Sequence, residues 1–238
     1  MFPVDENTNA GNKNPQETTI EAKGEKKRED KMTTPYKQIR ALHDDTTITV
    51  YQAYKAAIAS AAVKNQKLNA SPAFRTTRMT WIKPSWAWML YRAGYSYKDP
   101  GQERILALKM KHGDFISILE RATPVTKGHG HAEGDGKLPE VRVQWDPERT
   151  VRLGRLDYRS IQIGIPASIS EEWVGNMIVG IEDVTDKARE LKRVLDERSD
   201  VSIDELIELG LVPVERPFEI SEELQRGLGM IRDAEPSA

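Results

Sequence analysis

Between Arg78 and Arg92 the chain reads Arg-Met-Thr-Trp-Ile-Lys-Pro-Ser-Trp-Ala-Trp-Met-Leu-Tyr-Arg, so three of its five tryptophans crowd into one short stretch beside Arg78, Lys83 and Arg92. Aromatic faces next to cations can stack on a base or a nicotinamide ring while the charges hold phosphate. Spacing sorts the rings. Trp86, Met89, Leu90 and Ala93 recur at helical intervals and read as a buried stripe. Trp88 falls off that stripe and is expected to be exposed or to face a ligand. Trp81 sits on the preceding strand, where it either packs on the stripe or serves as a platform.

A second chemical feature is Gln162, which alternates against Ile161, Ile163 and Ile165. With Ser160 and Gly164 it predicts a polar, narrow strand face, either a ligand's approach or a solvated surface. His129 and His131 stand in Gly-His-Gly-His with Glu133 and Asp135 nearby, but only His43 and His112 remain elsewhere, too little for a rigid three-ligand site. No structural metal is expected. Gly136-Lys137 is not a phosphate loop, because His131 stands where the spacing needs glycine and Leu138 where it needs Ser or Thr. There is no cysteine, which excludes disulfides, thiolate zinc sites and cysteine nucleophiles.

The elements that must carry these residues follow from periodicity. Residues 1–34 are polar and charged, and predict a disordered tail without a secretory h-region. Ile39–His43 reads as a strand, Asp44-Asp45 as a turn, and Thr46–Tyr51 as a second strand. A helix is predicted over Tyr54–Lys67, a strand over Arg78–Ile82, and a helix from Pro84-Ser85 to Gly94. Ile105–Met110 is a run apolar but for Lys109, read as a buried strand, and Phe115, Ile118, Leu119 and Ala122 predict the helix after it. Residues 124–139 form a Gly-rich loop. Val141, Val143 and Trp145 share one face of a strand, as do the three isoleucines of the next. Ser170 is expected to cap a helix bearing Trp173, Met177, Ile178 and Ile181. Thr185 starts a charged helix, and Ser202 to Glu205 has a capping-box pattern. The whole predicts an α+β fold: a single domain over 35–200 with a mixed, largely antiparallel sheet flanked by helices, then an acidic helical extension over 201–238.

Charge is unevenly placed. Residues 35–165 hold 21 Lys/Arg against 12 Asp/Glu, and residues 166–238 hold eight against 18. A basic centre suits a phosphate-bearing partner, unless the acidic part folds back and neutralises it. With no apolar run long enough to span a bilayer, the expected partners are a nucleotide or nucleic acid, single-stranded RNA or DNA, with no membrane and no protein partner, in cytoplasm or nucleus.

Four segments together resemble the family called domain of unknown function 4291. They are Ile39-Arg40-Ala41 with Asp44-Asp45 and Thr49 to Tyr54; Arg78 to Ser85; Gly101-Gln102-Glu103-Arg104; and Val141 to Arg149 with Tyr158 to Gly164. A fainter likeness is to the ADP-ribosyltransferase fold, in which an aromatic followed by His or Arg ends a first strand, a second strand carries Ser, Thr or Tyr, and a late strand bears Glu or Gln. Here Tyr51-Gln52, Thr80 to Ser85 and Gln162 look like those elements, with Gln52 in place of His or Arg. That likeness implies NAD as co-substrate. It makes Gln52, Gln162 and Thr80 catalytic, with Gln162 orienting the ribose. Tyr51, Trp81, Ser85 and Arg40 would contact NAD, and Arg78, Lys83, Glu103 and Trp88 would hold substrate or phosphate. A nucleic-acid-processing enzyme doing phosphoryl or nucleotidyl transfer through Lys83 or Glu103, and a non-catalytic module for RNA or single-stranded DNA, are the competing expectations.

Overall fold

The computed structural model describes residues 34–124 and 141–231. The N-terminal tail through residue 33 and the Gly-rich loop with His129 and His131 lie outside the described residues.

Two larger antiparallel-dominated sheets and one two-stranded sheet build the domain. The first has the order β2-β4-β8, from Thr47–Tyr54, Arg104–Lys111 and Ile178–Asp183. The second runs β3-β7-β6-β5, from Thr80–Ile82, Arg155–Ile165, Val141–Arg149 and Ala122–Pro124, with only β5 parallel to its neighbour. They meet at one point. Tyr51 N–H donates to the Lys83 carbonyl at 2.7 Å and Lys83 N–H to the Tyr51 carbonyl at 3.2 Å, an antiparallel bridge between β2 and the end of β3.

The apolar run Ile105–Leu108 in β4 has a physical cause. Alternate strand residues point to opposite faces, and both faces of this sheet are covered. Ile48 and Val50 of β2 with Leu106, Leu108 and Met110 of β4 enter one core, shared with the isoleucines of β7. Tyr51, Ile105 and Ala107 enter a second core with Trp86, Leu90 and Leu191. The first sheet is thus a septum between two cores, and along β4 polar alternation returns only at the exposed Lys109 and Lys111.

Helices α1 (Ala56–Asn65), α2 (Trp86–Ala93), α3 (His112–Glu120) and α5 (Thr185–Glu197) fall close to the predicted spans. Strand β2 runs on to Tyr54, so Tyr54 is a strand residue and not the first of the helix. One prediction fails outright. Ser170 caps nothing: it is buried inside the short α4 (Ala167–Glu172), and after a wide turn through Met177 the chain becomes strand β8. Ile178 and Ile181 therefore sit on a strand pairing with β4, because β-branched residues at 178, 179 and 181 fit a pleated surface better than a helix.

The acidic C-terminal part folds onto the same domain. Strand β9 (Arg216–Pro217) pairs with β1 (Arg40–Ala41). Phe218 and Leu228 enter the first core, and Leu206 of α6 (Ile203–Glu208) enters the second. The capping box predicted at the start of α6 is present, with Ser202 and Glu205 satisfying each other's backbone N–H. The short α7 (Glu222–Gly227) follows. Among the described residues no helix is long and apolar enough to cross a membrane.

Candidate functional site

The seam between the two sheets opens into a cleft of about 820 Å3. Strand β2 contributes Gln52, strand β3 contributes Thr80 and Trp81, and Lys83 lies just past β3. Gln52 is nearly buried and wholly engaged. Its Nε2 donates to Thr80 Oγ1 at 2.7 Å and to the Trp81 carbonyl at 3.0 Å, and its Oε1 accepts from the Tyr54 hydroxyl. With both donors and an acceptor used inside the protein, Gln52 clasps β3 to β2 and holds Thr80 at the cleft wall.

Trp81 is half-buried and its indole lies over Gly164, its direct partner on β7. A Cβ built on Gly164 would come within 3.1 Å of that ring and 2.9 Å of Met79 Sδ. The narrow face predicted around Gly164 is therefore real, but protein side chains occupy it and not a ligand.

Lys55, Arg75, Arg78, Lys83 and Arg92 converge on the cleft, against Asp99 alone among carboxylates lining it. Asp99 is taken up by the Gly101 N–H and the Gln102 amide. Among the described residues, none of the five cations makes an ion pair or a side-chain hydrogen bond. Lys83 is the most confined, at 5% exposure. Loss of hydration, reinforced by the Arg92 charge and opposed by Asp146, pushes its pKa down to about 8. Elsewhere the acidic C-terminal part does pair with bases, as in Arg104–Asp183 and Arg121–Glu172. Arg193 is held between Glu190 and Glu197 on α5 itself. The neutralisation foreseen as an alternative bypasses the cleft.

The other expected site residues lie elsewhere. Gln162 donates to Gln144 across the β6–β7 ladder and is not among the residues lining the cleft, so its expected convergence with Gln52 is not seen. The Tyr51 ring turns to the opposite face of β2 and lies 5.1 Å from Trp86. Ser85 is the N-cap of α2, accepting from Trp88 N–H and donating to Glu148 at 2.9 Å. Arg40 donates to Gln38 Oε1 and to the Glu215 carbonyl. Glu103 accepts the Ala56 N–H at 2.7 Å and so caps α1, a stabilising place for a carboxylate. Trp88, expected to be exposed or to face a ligand, is buried at 6% exposure and stacks on Tyr91, whose ring also meets the Arg149 guanidinium at 3.8 Å and Lys98 Nζ at 5.9 Å. A second layer around α2 absorbs it, which a single-helix periodicity does not reveal.

Two buried carboxylates gave no motif. Glu148 accepts from Ser85 and from the Arg149 N–H, and burial raises its pKa. Glu215 accepts the Trp86 N–H at 2.6 Å. Burial pushes it up to about 8, the Trp86 hydrogen bond opposing and the Glu148 charge adding to the rise. Both sit at the N-terminus of α2, where the helix dipole favours negative charge. Lys55 and Arg75 on the cleft were also missed, since isolated bases in loops carry no spacing signal. Among the described residues no group of three His, Asp or Glu is arranged for a metal ion.

No curated protein matches the chain. The family described as domain of unknown function (DUF4291) matches residues 38–218, which take in both sheets, the seam cleft and the strand that returns to β1, and the chain belongs to that family.

Proposed function

We propose that the protein is a nucleotide-dependent transferase, ADP-ribosyltransferase-like in plan, acting on a nucleotide or nucleic-acid substrate in the seam cleft. The observation that carries this reading is the meeting of Gln52 and Thr80 across the seam, beside Trp81 and five unpaired cations. These are residues of the first two elements of the transferase plan, brought together from separate sheets. The cleft's size and charge suit NAD: Lys83 and Arg78 would hold its pyrophosphate and Trp81 would stack on a ring. Thr80 accepts from Gln52 and its hydroxyl also bears on the Tyr54 phenol, so it stands at the cleft wall as a fixed polar contact for a ribose. NAD supplies an ADP-ribosyl group, whose bond to nicotinamide breaks as an acceptor oxygen bonds to the same ribose carbon. Gln52 serves as a positioning residue, and Gln162 is given no role in the step.

A second reading is nucleotidyl transfer, favoured by Lys83. Its lowered pKa leaves an appreciable share of neutral amine near pH 7, which is the nucleophilic form. There the Lys83 amine would attack the α-phosphate of a nucleoside triphosphate and expel pyrophosphate.

The two readings part in one experiment. The protein is incubated with NAD labelled in its adenylate phosphate, or with α-labelled ATP, each with and without single-stranded RNA. Label passing from NAD to RNA or nucleotide supports ADP-ribosyl transfer. An acid-labile protein adduct formed from ATP and lost in Lys83→Met replaces it with the second reading. Label transfer from neither leaves a binding module and overturns both.

A further inference from the structure

We propose that a second cavity, on the face of β2 opposite Gln52, is a binding site for a small organic anion with a flat apolar body. Nothing in the cleft reading requires it. Side chains alternate along a strand, so Thr49 and Tyr51 point away from Gln52 and form the floor of a cavity of about 370 Å3. That volume is within the range of small-molecule sites.

Three observations define the ligand. The first is polar. Thr49 and Tyr51 are 5% and 3% exposed, yet neither hydroxyl has a hydrogen-bond partner among the described residues. Neither hydroxyl is sealed from water, so each opens onto the cavity, where a ligand's acceptor would complete it. The second is apolar. Trp86, Ala107 and Val184 wall the cavity, and Ala107 gives it depth because a longer side chain there would fill it. The flat Trp86 face suits an aromatic or planar body. The third is charge. Lys109 and Lys187 stand at the rim as exposed cations without an ion pair among the described residues, against one carboxylate, Glu182. The surplus favours an anionic head, and Gly180, where a Cβ would touch the Lys109 side chain, leaves the rim open beside Lys109.

Fluorine NMR titration of the full chain with 4-fluorobenzoate and with its neutral counterpart 4-fluorobenzamide tests this. The benzoate is expected to bind about fivefold more tightly, the contribution of one or two rim charges. Lys109→Met with Lys187→Met, both at exposed positions, should abolish that preference. Ala107→Met should remove binding of both compounds. If that variant does not fold, Tyr51→Phe and Thr49→Val delete the hydroxyls at nearly constant volume and should each weaken benzoate severalfold. Lys83→Met, in the cleft, should change nothing. Equal affinity for the two compounds, benzoate binding unaffected by the hydroxyl deletions, or loss of binding in Lys83→Met would each overturn the proposal.

Discussion

Gln52 and Thr80 are 28 residues apart in sequence and joined by a 2.7 Å hydrogen bond, Gln52 Nε2 donating to Thr80 Oγ1 across the seam between two sheets. Gln52 is the only side chain of β2 on that face that carries an amide, since its neighbours on the face are Ile48, Val50 and Tyr54. A buried polar group among apolar ones persists only if every bond is made, and here the bonds made are those that fix the cleft wall.

Removing the clasp should therefore cost stability as well as function. Gln52→Leu deletes three hydrogen bonds and leaves the Thr80 and Tyr54 hydroxyls only each other, an expected loss of about 2–3 kcal/mol. Urea unfolding measures it as a lower midpoint at unchanged slope. A loss below about 0.5 kcal/mol would mean that water replaces the amide and that the seam holds itself together without it.

Gly164→Ala tests the placement of Trp81. The new methyl would meet Met79 Sδ at 2.9 Å and the indole at 3.1 Å, so Met79 must shift and the ring must give by a few tenths of an ångström. A modest destabilisation of about 1–2 kcal/mol is expected, with a larger loss of nucleotide binding because the ring moves. Trp81 fluorescence should shift in the variant. Wild-type affinity with a shifted spectrum would show that the ring is not a platform.

The fold was largely legible. Asp44, Gly94, Ser202 and Glu205 act as their types predict, at a turn, a left-handed helix end and a capping box. Strand β8 was not, because Trp173, Met177 and Ile181 mimic a helical spacing while pairing with β4 decides the outcome. The cleft was half legible. Thr80, Trp81, Lys83 and Arg78 stood in one dense segment, but their meeting with Gln52 was expected only together with Gln162, which does not line the cleft. Where Tyr51, Trp88 and Gln162 point depends on which face the second core and the neighbouring strand occupy, information that a single segment does not carry.

Glu215 makes stability fall with rising pH. Its pKa is raised in the folded state, from 4.5 to about 8, so the folded protein binds more protons than the unfolded chain between those values. The stabilisation is complete below about pH 4.5 and is lost as pH rises through 8. Glu215→Gln keeps an acceptor for the Trp86 N–H and cannot ionise. Its melting temperature should fall less between pH 5 and pH 8 than that of the wild type. Parallel curves would place the Glu215 carboxylate in water.

The unpaired cations should give the cleft a salt-sensitive affinity for single-stranded RNA. The log–log slope should be about −0.7 for each phosphate held. Arg75→Ala with Arg78→Ala, both exposed and unpaired, should flatten it without loss of stability. A slope indifferent to the two changes would locate RNA on another surface.

Calorimetric titration with ADP-ribose tests the central claim most directly, because it asks whether the seam cleft holds a nucleotide pyrophosphate, independent of any turnover. The wild type is expected to bind one equivalent. Affinity should fall tenfold or more, about 1.4 kcal/mol, in Arg78→Ala and in Lys83→Met. Arg193→Ala, which loses only its exposed pairs on α5, should bind as the wild type does. ADP-ribose bound equally by all four proteins, or by none, would contradict the assignment of the seam cleft as the nucleotide site.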